Sequence, residues 1–211
     1  MIAQAAASEL SKQTGRRVVP IVADTGRKES VDSLAAAAIE QLGGVDILIN
    51  NAAIPGGTSS PSKLEEIVDA DALHDIDIKV VGYLRTARAL APYMIKKGWG
   101  RIINIGGLAA YRTGHPVATL RNVGVAALTK NLADELGPKG IGVVAIHPGA
   151  TRTERTDPVS ETHLAKSVSI GRIVDASEIA FLVAFLASPK GIAVNGDTIS
   201  AGGGSLGVIH Y

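Results

Sequence analysis

Short apolar runs alternate with longer amphipathic stretches along almost the whole chain. Glycine, proline or polar residues bound the apolar runs, as is typical of buried strands, whereas the longer stretches have the composition of helices. The predicted strands are residues 17–24, 45–50, 101–105, 141–146 and 197–200. The predicted helices are residues 1–13, 30–41, 61–97 (with a break near Asp71), 117–136 and 177–187, and residues 150–169 are a predicted polar loop. This alternation predicts an α/β fold with a doubly wound parallel sheet, and residues 1–211 form a single domain.

Composition agrees with a packed α/β domain and excludes several other classes. The 211 residues are 46% hydrophobic, carry a net charge of +1, and contain no cysteine. Scattered basic residues argue against nucleic acid or a charged membrane surface as partner, and the lack of cysteine excludes disulfides and thiolate metal sites. The histidines show no metal-ligand spacing, so no metal site is expected. No apolar run approaches the roughly 20 residues that span a bilayer. We expect a cytoplasmic protein.

The run Asp46–Ala53 is the most informative part of the sequence. Its apolar residues end abruptly in Asn50 and Asn51, followed by two small residues. A parallel strand that ends in this way delivers polar groups to a ligand crevice. The run resembles the Asn-Asn-Ala-Gly signature of the short-chain dehydrogenase/reductase family, with Ala53 in the glycine position. The resemblance continues in order along nearly all of the chain and implies a Rossmann-like fold and an NAD(P)-dependent oxidoreductase acting on a small alcohol or carbonyl compound.

The same resemblance implies a set of cofactor-binding residues. Asp24 matches the acid that hydrogen-bonds the adenine amine, although it could equally cap the turn at Thr25-Gly26. The remaining matches are Asn51, Ala52 and Ala53 beside the adenosine ribose, Pro148, Gly149 and Thr151 beside the nicotinamide, and Thr153 beside its carboxamide. Pro148-Gly149 could also be a simple turn after a strand. The resemblance implies NAD or NADP as the cofactor. It does not distinguish between the two, because the residues that do so in the family follow a strand that the chain lacks.

The front of the family pattern is absent from this sequence. Members begin with a strand, a glycine-rich turn around the pyrophosphate, a helix and a second strand, but no G-x-x-x-G-x-G precedes the first predicted strand. We therefore expect a partial domain without its first two strands and that turn. Residues 17–24 would then lack a partner, and residues 48–50 would form a bare edge. Either the predicted strands at residues 17–24 and 45–50 pair directly with each other, or the protein starts upstream of Met1. The second explanation is favoured.

The catalytic positions of the family are all replaced. Members use a tyrosine as proton donor, a lysine one helical turn later, a serine that polarises the carbonyl, and an asparagine that holds a water relay. The segment Gly124–Lys130 sets the register of the helix. The corresponding residues are Ala118 for tyrosine, Asn122 for lysine, Gly107 (or Gly106) for serine, and Lys79 for asparagine. Arg121 cannot replace the lysine, because one residue turns a side chain by about 100° around a helix.

A few other residues are candidate substitutes for the replaced catalytic groups. Tyr111 is a candidate proton donor, but its place in a loop favours a non-catalytic role. Lys79 and Asn122 resemble a reciprocal exchange that would keep a hydrogen-bonded pair in the pocket, with a lowered Lys79 pKa; the alternative is a lysine that reaches out to solvent. A third group could hold an anionic ligand, or could be ordinary loop charges: Arg152, Arg155 and His163.

Three functional hypotheses follow. The chain is a family member with lost or impaired catalysis that serves as a binding or partner subunit (a pseudoenzyme), a divergent oxidoreductase with another proton donor, or a truncated gene product. A small molecule is a further candidate ligand. The resemblance also implies a homo-oligomer, a dimer through the two long helices or a tetramer through the last strand and helix. Val123, Ala126, Ala127 and Leu128 form a small apolar face for such contacts, which could equally pack on the sheet.

Overall fold

A four-stranded parallel sheet forms the centre of the molecule. The computed structural model describes residues 2–54, 63–154, 156–207 and 209. Its strands are β1 (Ile47–Asn50), β2 (Gly100–Ile105), β3 (Ile141–Pro148) and β6 (Thr198–Ala201). They lie in the order β1-β2-β3-β6, and every neighbouring pair is parallel. Two short strands, β4 (Thr151–Arg152) and β5 (Val174–Asp175), pair with each other beside it.

Helices connect the strands and cover both faces of the sheet. They are α1 (Ile2–Thr14), α2 (Lys28–Leu42), α3 (Asp69–Ile76), α4 (Gly82–Lys97), α5 (Pro116–Leu136), α6 (Pro158–Ala165) and α7 (Ala176–Ala187). Successive residues of β2 point to opposite faces. Ile102 packs in a core cluster with residues of α4 and α5, whereas Ile103 packs in a cluster with residues of α7. The sheet is therefore doubly wound, as predicted, and its central strands β2 and β3 are buried on both faces.

The predicted strand at residues 17–24 is wrong. These residues have no strand assignment, and the side chain of Val22 is 94% exposed. A strand forms only where its backbone groups find a neighbouring strand, and in the described part of the chain β1 is the edge of the sheet. Direct pairing of residues 17–24 with β1 is thus excluded. The expected bare edge at residues 48–50 is present, and Ile49 is 40% exposed.

Two other predicted segments also differ. The predicted break near Asp71 lies slightly earlier, at Ile67 and Val68 before α3, and a π-helical turn at Asp77–Val81 joins α3 to α4 without interruption. Residues 61 and 62 fall outside the described residues. The predicted polar loop contains β4 and the short helix α6, which begins at Asp157: its carboxylate Oδ1 accepts hydrogen bonds from the backbone N–H groups of Val159 and Ser160. That cap, followed by Pro158, is a helix start signal that the sequence analysis missed.

Candidate functional site

The carboxyl ends of β1, β2 and β3 meet at one edge of the sheet. Asn50 pairs with Asn104, and Ile105 pairs with Ile146, so the strands run in parallel register. The residues at or just after these ends, Asn51, Gly106-Gly107 and Pro148, therefore lie close together. This is the edge at which parallel α/β sheets bind ligands.

A buried hydrogen-bond network holds this edge in place. The Nδ2 group of Asn50 donates to Oδ1 of Asn104 (2.9 Å), and Thr86 Oγ1 donates to Oδ1 of Asn50 (2.7 Å). Asn104 Nδ2 in turn donates to Thr129 Oγ1 (3.0 Å). The network joins β1, β2, α4 and α5, and each buried polar group has a partner. Sequence analysis missed it; polar residues inside otherwise apolar strands and helices were the available signal.

The four replaced catalytic positions lie around the end of β2. The Nζ group of Lys79 donates to the backbone carbonyl of Gly106 at 3.1 Å. A Cβ atom on Gly107 would lie 3.4 Å from the side-chain amide of Asn122. Nδ2 of Asn122 donates to the carbonyl of Ala118, one turn earlier on α5. The structure thus brings these residues together, but it places no hydroxyl group at the serine and tyrosine positions.

Lys79 is buried, which contradicts the alternative of a lysine reaching to solvent. Lys79 belongs to the π-helical turn and is 5% exposed. Burial and, to a smaller extent, the nearby Arg121 guanidinium lower the Lys79 pKa to about 8, while the Asp75 carboxylate opposes the shift. The lowered pKa was predicted. Arg121 itself forms a buried ion pair with both carboxylate oxygens of Asp75, at 2.5 and 2.6 Å.

The predicted hydrogen bond between Lys79 and Asn122 is not formed. The Oδ1 atom of Asn122 is buried and has no hydrogen-bond partner, so it accepts nothing from the Lys79 ammonium. Each side chain donates to a backbone carbonyl instead. The exchange of residue types therefore leaves an open acceptor in the site.

His147 is a central residue that the sequence analysis considered only as a metal ligand. It is fully buried, and its Nδ1 lies 3.0 Å from the backbone nitrogen and 2.6 Å from the carbonyl oxygen of Gly107. Its Nε2 atom has no partner. Desolvation and the Lys79 charge lower the His147 pKa, which keeps the ring neutral. The ring also lies where a Cβ atom on Gly106 would stand, and the Tyr111 ring is 5.6 Å away.

A cleft of about 620 Å³ opens beside this cluster. Four predicted cofactor residues line it, namely Asn51, Pro148, Thr151 and Thr153. Its remaining wall is apolar and comes from the exposed face of β1, from Ile105 and from α7. Amide and hydroxyl groups above an apolar wall fit a flat ring that carries a carboxamide. In the described part of the chain no strand leads through a glycine-rich turn directly into an α-helix, so a pyrophosphate cradle is not among these residues.

The other predicted cofactor residues do not line that cleft. Asp24 is exposed, and its Oδ1 accepts from the backbone N–H of Gly26 (2.9 Å), which is the turn cap considered as its alternative role. Ala52 and Ala53 are exposed beyond the end of β1. Gly149 packs tightly on Gly202, where a Cβ atom would come within 2.7 Å of its Cα. Gly149 therefore serves close backbone packing.

The charged residues of the loop are mostly engaged. Arg152 binds the carboxylates of Glu161 on α6 and Asp175 at the start of α7. It thus ties the wall of the cleft to both helices and is not free to hold an anion. His163 is exposed on α6, and Arg155 falls outside the described residues. Within residues 2–54, 63–154, 156–207 and 209, no cluster of three or more acidic or histidine side chains could hold a metal ion, and no helix has the length and hydropathy to cross a bilayer.

Comparisons with known proteins agree with this geometry. A family model described as enoyl-(acyl carrier protein) reductase matches residues 2–205. The chain is 32% identical to the 3-oxoacyl-[acyl-carrier-protein] reductase FabG of Vibrio cholerae, over 83% of this chain and 72% of that protein. It is 34% identical to dehydrogenase/reductase SDR family member 4 of Bos taurus, over 92% of this chain and 71% of that protein.

Solved structures of other proteins share the overall fold of this chain. A dehydrogenase/reductase from Sinorhizobium meliloti superposes with a TM-score of 0.85 at 33% identity, over 96% of this chain and 79% of its own. A 7α-hydroxysteroid dehydrogenase in complex with NADH and 7-oxo glycochenodeoxycholic acid superposes with a TM-score of 0.87 at 28% identity, over 99% of this chain and 82% of its own. With the strand order, the crevice and the family match in agreement, the chain belongs to the short-chain dehydrogenase/reductase family.

Proposed function

We propose that this chain is a nicotinamide-dinucleotide-linked oxidoreductase by descent whose tyrosine-dependent catalysis is lost or strongly impaired. The observation that carries the proposal is the composition of the cluster at the end of β2. The four residues that match the family's catalytic positions are neighbours around the end of β2, and none of them is the family's residue type: they are Gly107, Ala118, Asn122 and Lys79. A preserved framework with replaced chemistry is the pattern of a pseudoenzyme.

The missing tyrosine has the largest consequence for the rate. Hydride transfer to a carbonyl carbon leaves negative charge on the oxygen, and that oxygen requires a proton. General acid catalysis contributes about 10²–10⁴-fold to such steps. The methyl group of Ala118 cannot donate a proton, and Gly107 has no hydroxyl to polarise the carbonyl. We therefore expect slow turnover or none by the family route.

The ligand of the cleft is NAD or NADP in this proposal. Support comes from the lining residues Asn51, Pro148, Thr151 and Thr153, and from the NADH in the superposed hydroxysteroid dehydrogenase. These residues fit the nicotinamide half of the cofactor. Because no pyrophosphate cradle lies among the described residues, we expect binding to be weak in the 211-residue protein. The carbonyl or alcohol substrate would be a small molecule.

Calorimetric titration with NADH and NADPH tests the binding. Ala180 lines the cleft from α7, so Ala180→Trp should fill it and weaken dinucleotide binding at least tenfold. Ser177→Trp is the matched control, since Ser177 is exposed on the same helix outside the cleft lining and should leave the affinity within about twofold. Absence of binding in well-folded wild-type protein, or equal binding by both variants, would contradict the proposal.

Restoration of the family residues tests the lost catalysis. A variant that combines Lys79→Asn, Gly107→Ser, Ala118→Tyr and Asn122→Lys should raise dinucleotide-dependent carbonyl reduction by about 10²-fold or more, the usual contribution of a positioned acid. Wild-type turnover as fast as that of this variant would show that the replacements do not impair catalysis.

A partner-subunit role is the second candidate. Several large apolar side chains are exposed on α4, α5 and α7, among them Leu84, Leu120, Val123, Phe181 and Phe185. Such surfaces commonly mark protein contacts. Val123 is 47% exposed, which favours an intermolecular contact over packing on the sheet. A homo-oligomer through these helices is part of this proposal, and analytical ultracentrifugation of the wild type and of Val123→Glu tests it. A cytoplasmic location remains a prediction.

A further inference from the structure

The open edge of β1 carries backbone groups that no neighbouring strand uses. In the described part of the chain β1 pairs only with β2, and the Arg101 N–H donates to the carbonyl of Asp46. Alternate residues of a strand direct their backbone groups to opposite sides, so the even-numbered residues of β1 face β2. Ile47 and Ile49 therefore present their N–H and C=O groups at the open edge. Such an edge is a template for a further strand.

The same two residues form one wall of the cleft of about 620 Å³, and α7 forms the opposite wall. Their side chains are 43% and 40% exposed, for Ile47 and Ile49 respectively. None of the described residues that line the cleft is charged. A groove between an edge strand and a helix, with free backbone groups along one side, is the arrangement by which proteins bind an extended peptide as an added strand. The uncharged lining requires apolar side chains in that strand.

Residues 17–24 have the composition that this groove requires, and they belong to the same chain. They are rich in valine and isoleucine, and Val22 is 94% exposed. Within one chain the segment has no strand neighbour. The backbone N–H groups of Val19, Ile21 and Ala23 have no hydrogen-bond partner among the residues that the structure describes. The chain thus contains both an open strand edge and a strand-like segment without a partner.

The hydrogen bonds of the segment show which of its edges is open. The backbone N–H of Val18 donates to Ser11 Oγ on α1 (3.2 Å), and that of Asp24 donates to Ser30 Oγ on α2 (2.9 Å). In a strand these bonds turn the even-numbered backbone groups toward the chain's own helices and the odd-numbered groups away from them. Pro20, which has no N–H, falls on the inner side. The outer edge therefore lacks no donor.

Parallel pairing with β1 also matches the side chains. In a parallel pair, a residue whose backbone groups face the neighbouring strand lies opposite one whose groups face away, as Leu48 lies opposite Ile102. Ile49 then lies opposite an even-numbered residue such as Val22, and both side chains point into the cleft. Antiparallel pairing would leave Val22 on the other face of the sheet. The parallel direction also brings Arg17 to the end of β1 that carries the half-exposed carboxylate of Asp46.

We propose that the open edge of β1 in one copy of this chain binds residues 17–24 of a second copy as an added parallel strand, whose apolar side chains fill the cleft beside α7. This interface uses main-chain hydrogen bonds and does not involve α4 or α5. It goes beyond the function proposed above and does not rest on dinucleotide binding. A dinucleotide and the added strand would use the same lining, so they exclude each other in the cleft.

Analytical ultracentrifugation tests the interface in the 211-residue protein. All samples carry Val123→Glu, which removes any association through α5. In this background Ile49→Lys and Val22→Lys should each weaken self-association by at least about tenfold, because each places a charge in an apolar groove. Val159→Lys is the matched control, since Val159 is 80% exposed on α6 outside the cleft lining and should leave association within about twofold. Circular dichroism confirms that each variant is folded.

A mixing experiment identifies the two surfaces as each other's partners. Ile49→Lys protein keeps an intact segment 17–24, and Val22→Lys protein keeps an intact β1 edge. Neither should associate alone, whereas an equal mixture should. In calorimetry, an acetylated and amidated peptide of residues 17–24 should bind the Val22→Lys protein and bind the Ile49→Lys protein at least about tenfold more weakly.

Four results would overturn the inference: a monomeric Val123→Glu protein at its highest soluble concentration, association that either lysine variant retains, no association on mixing, or equal peptide binding by both variants. Retained association would show non-specific aggregation or another interface. None of these results bears on whether NADH or NADPH binds, and failure of the dinucleotides to bind would leave the strand interface intact.

Discussion

Serine substitutions at the two adjacent glycines of the site should have opposite effects on stability. A Cβ atom on Gly106 would lie 2.8, 2.9 and 3.1 Å from three ring atoms of His147. The ring cannot move cheaply, because it is fully buried and its Nδ1 is bonded to the backbone of Gly107. Overpacking of this kind costs about 1–3 kcal/mol. At Gly107 the added Cβ would lie 3.4–3.6 Å from the Asn122 amide, which is ordinary contact, and φ of 179° suits any residue.

The Gly107→Ser hydroxyl could also donate to the unpartnered Oδ1 of Asn122, a gain of about 1 kcal/mol. Urea unfolding checks both values: with an m-value of about 2–3 kcal/mol/M, Gly106→Ser should lower the midpoint by about 0.5–1 M, and Gly107→Ser should leave it equal or higher. Combining Gly106→Ser with His147→Ala should show a favourable coupling of about 1 kcal/mol or more. Equal midpoints for the two serine variants, or no coupling to His147, would refute the reasoning.

Three further predictions follow from the structure. Asp75→Ala leaves the buried Arg121 uncompensated beside Lys79 and should lower the free energy of unfolding by about 3–5 kcal/mol in urea, with partial recovery in the double variant with Arg121→Met. Gly140→Ala should be strongly destabilising in the same assay, because φ is +86° and the Cβ atom would lie 2.1 Å from the Gly98 carbonyl oxygen. Pairing with Arg172 lowers the Glu178 pKa to about 2, below its unfolded value. The ionised Glu178 carboxylate therefore stabilises the folded protein at neutral pH, and this stabilisation is lost as the pH falls from about 4 to about 2. Glu178→Gln should accordingly weaken the acid dependence of the melting temperature. A Glu178→Gln melting profile that matches wild type below pH 4 would contradict this assignment.

The sequence alone determined the general architecture and the family. Apolar runs such as residues 101–105 and 141–146 predict buried strands, because a strand covered on both faces leaves little room for polar residues. Residues 117–136 predict a helix that the structure places at Pro116–Leu136. The order of short motifs, with Asn50-Asn51 and Pro148-Gly149 after strands, predicts a ligand crevice at the edge of the sheet where the structure has a cleft lined in part by Asn51 and Pro148. These features depend on local pattern and on their order along the chain.

Tertiary structure alone decided which residues have partners. Residues 17–24 have the pattern of a strand, but a strand requires a neighbour, and the described sheet offers none at that position. Likewise, Lys79 could have pointed to solvent, and only the packing of α3, α4 and α5 buries it. The role of His147 depends on how closely β3 approaches Gly106 and Gly107 across the sheet. Hydrogen bonds and burial are properties of groups distant in sequence, so their energies are set by the assembled fold and not by local pattern.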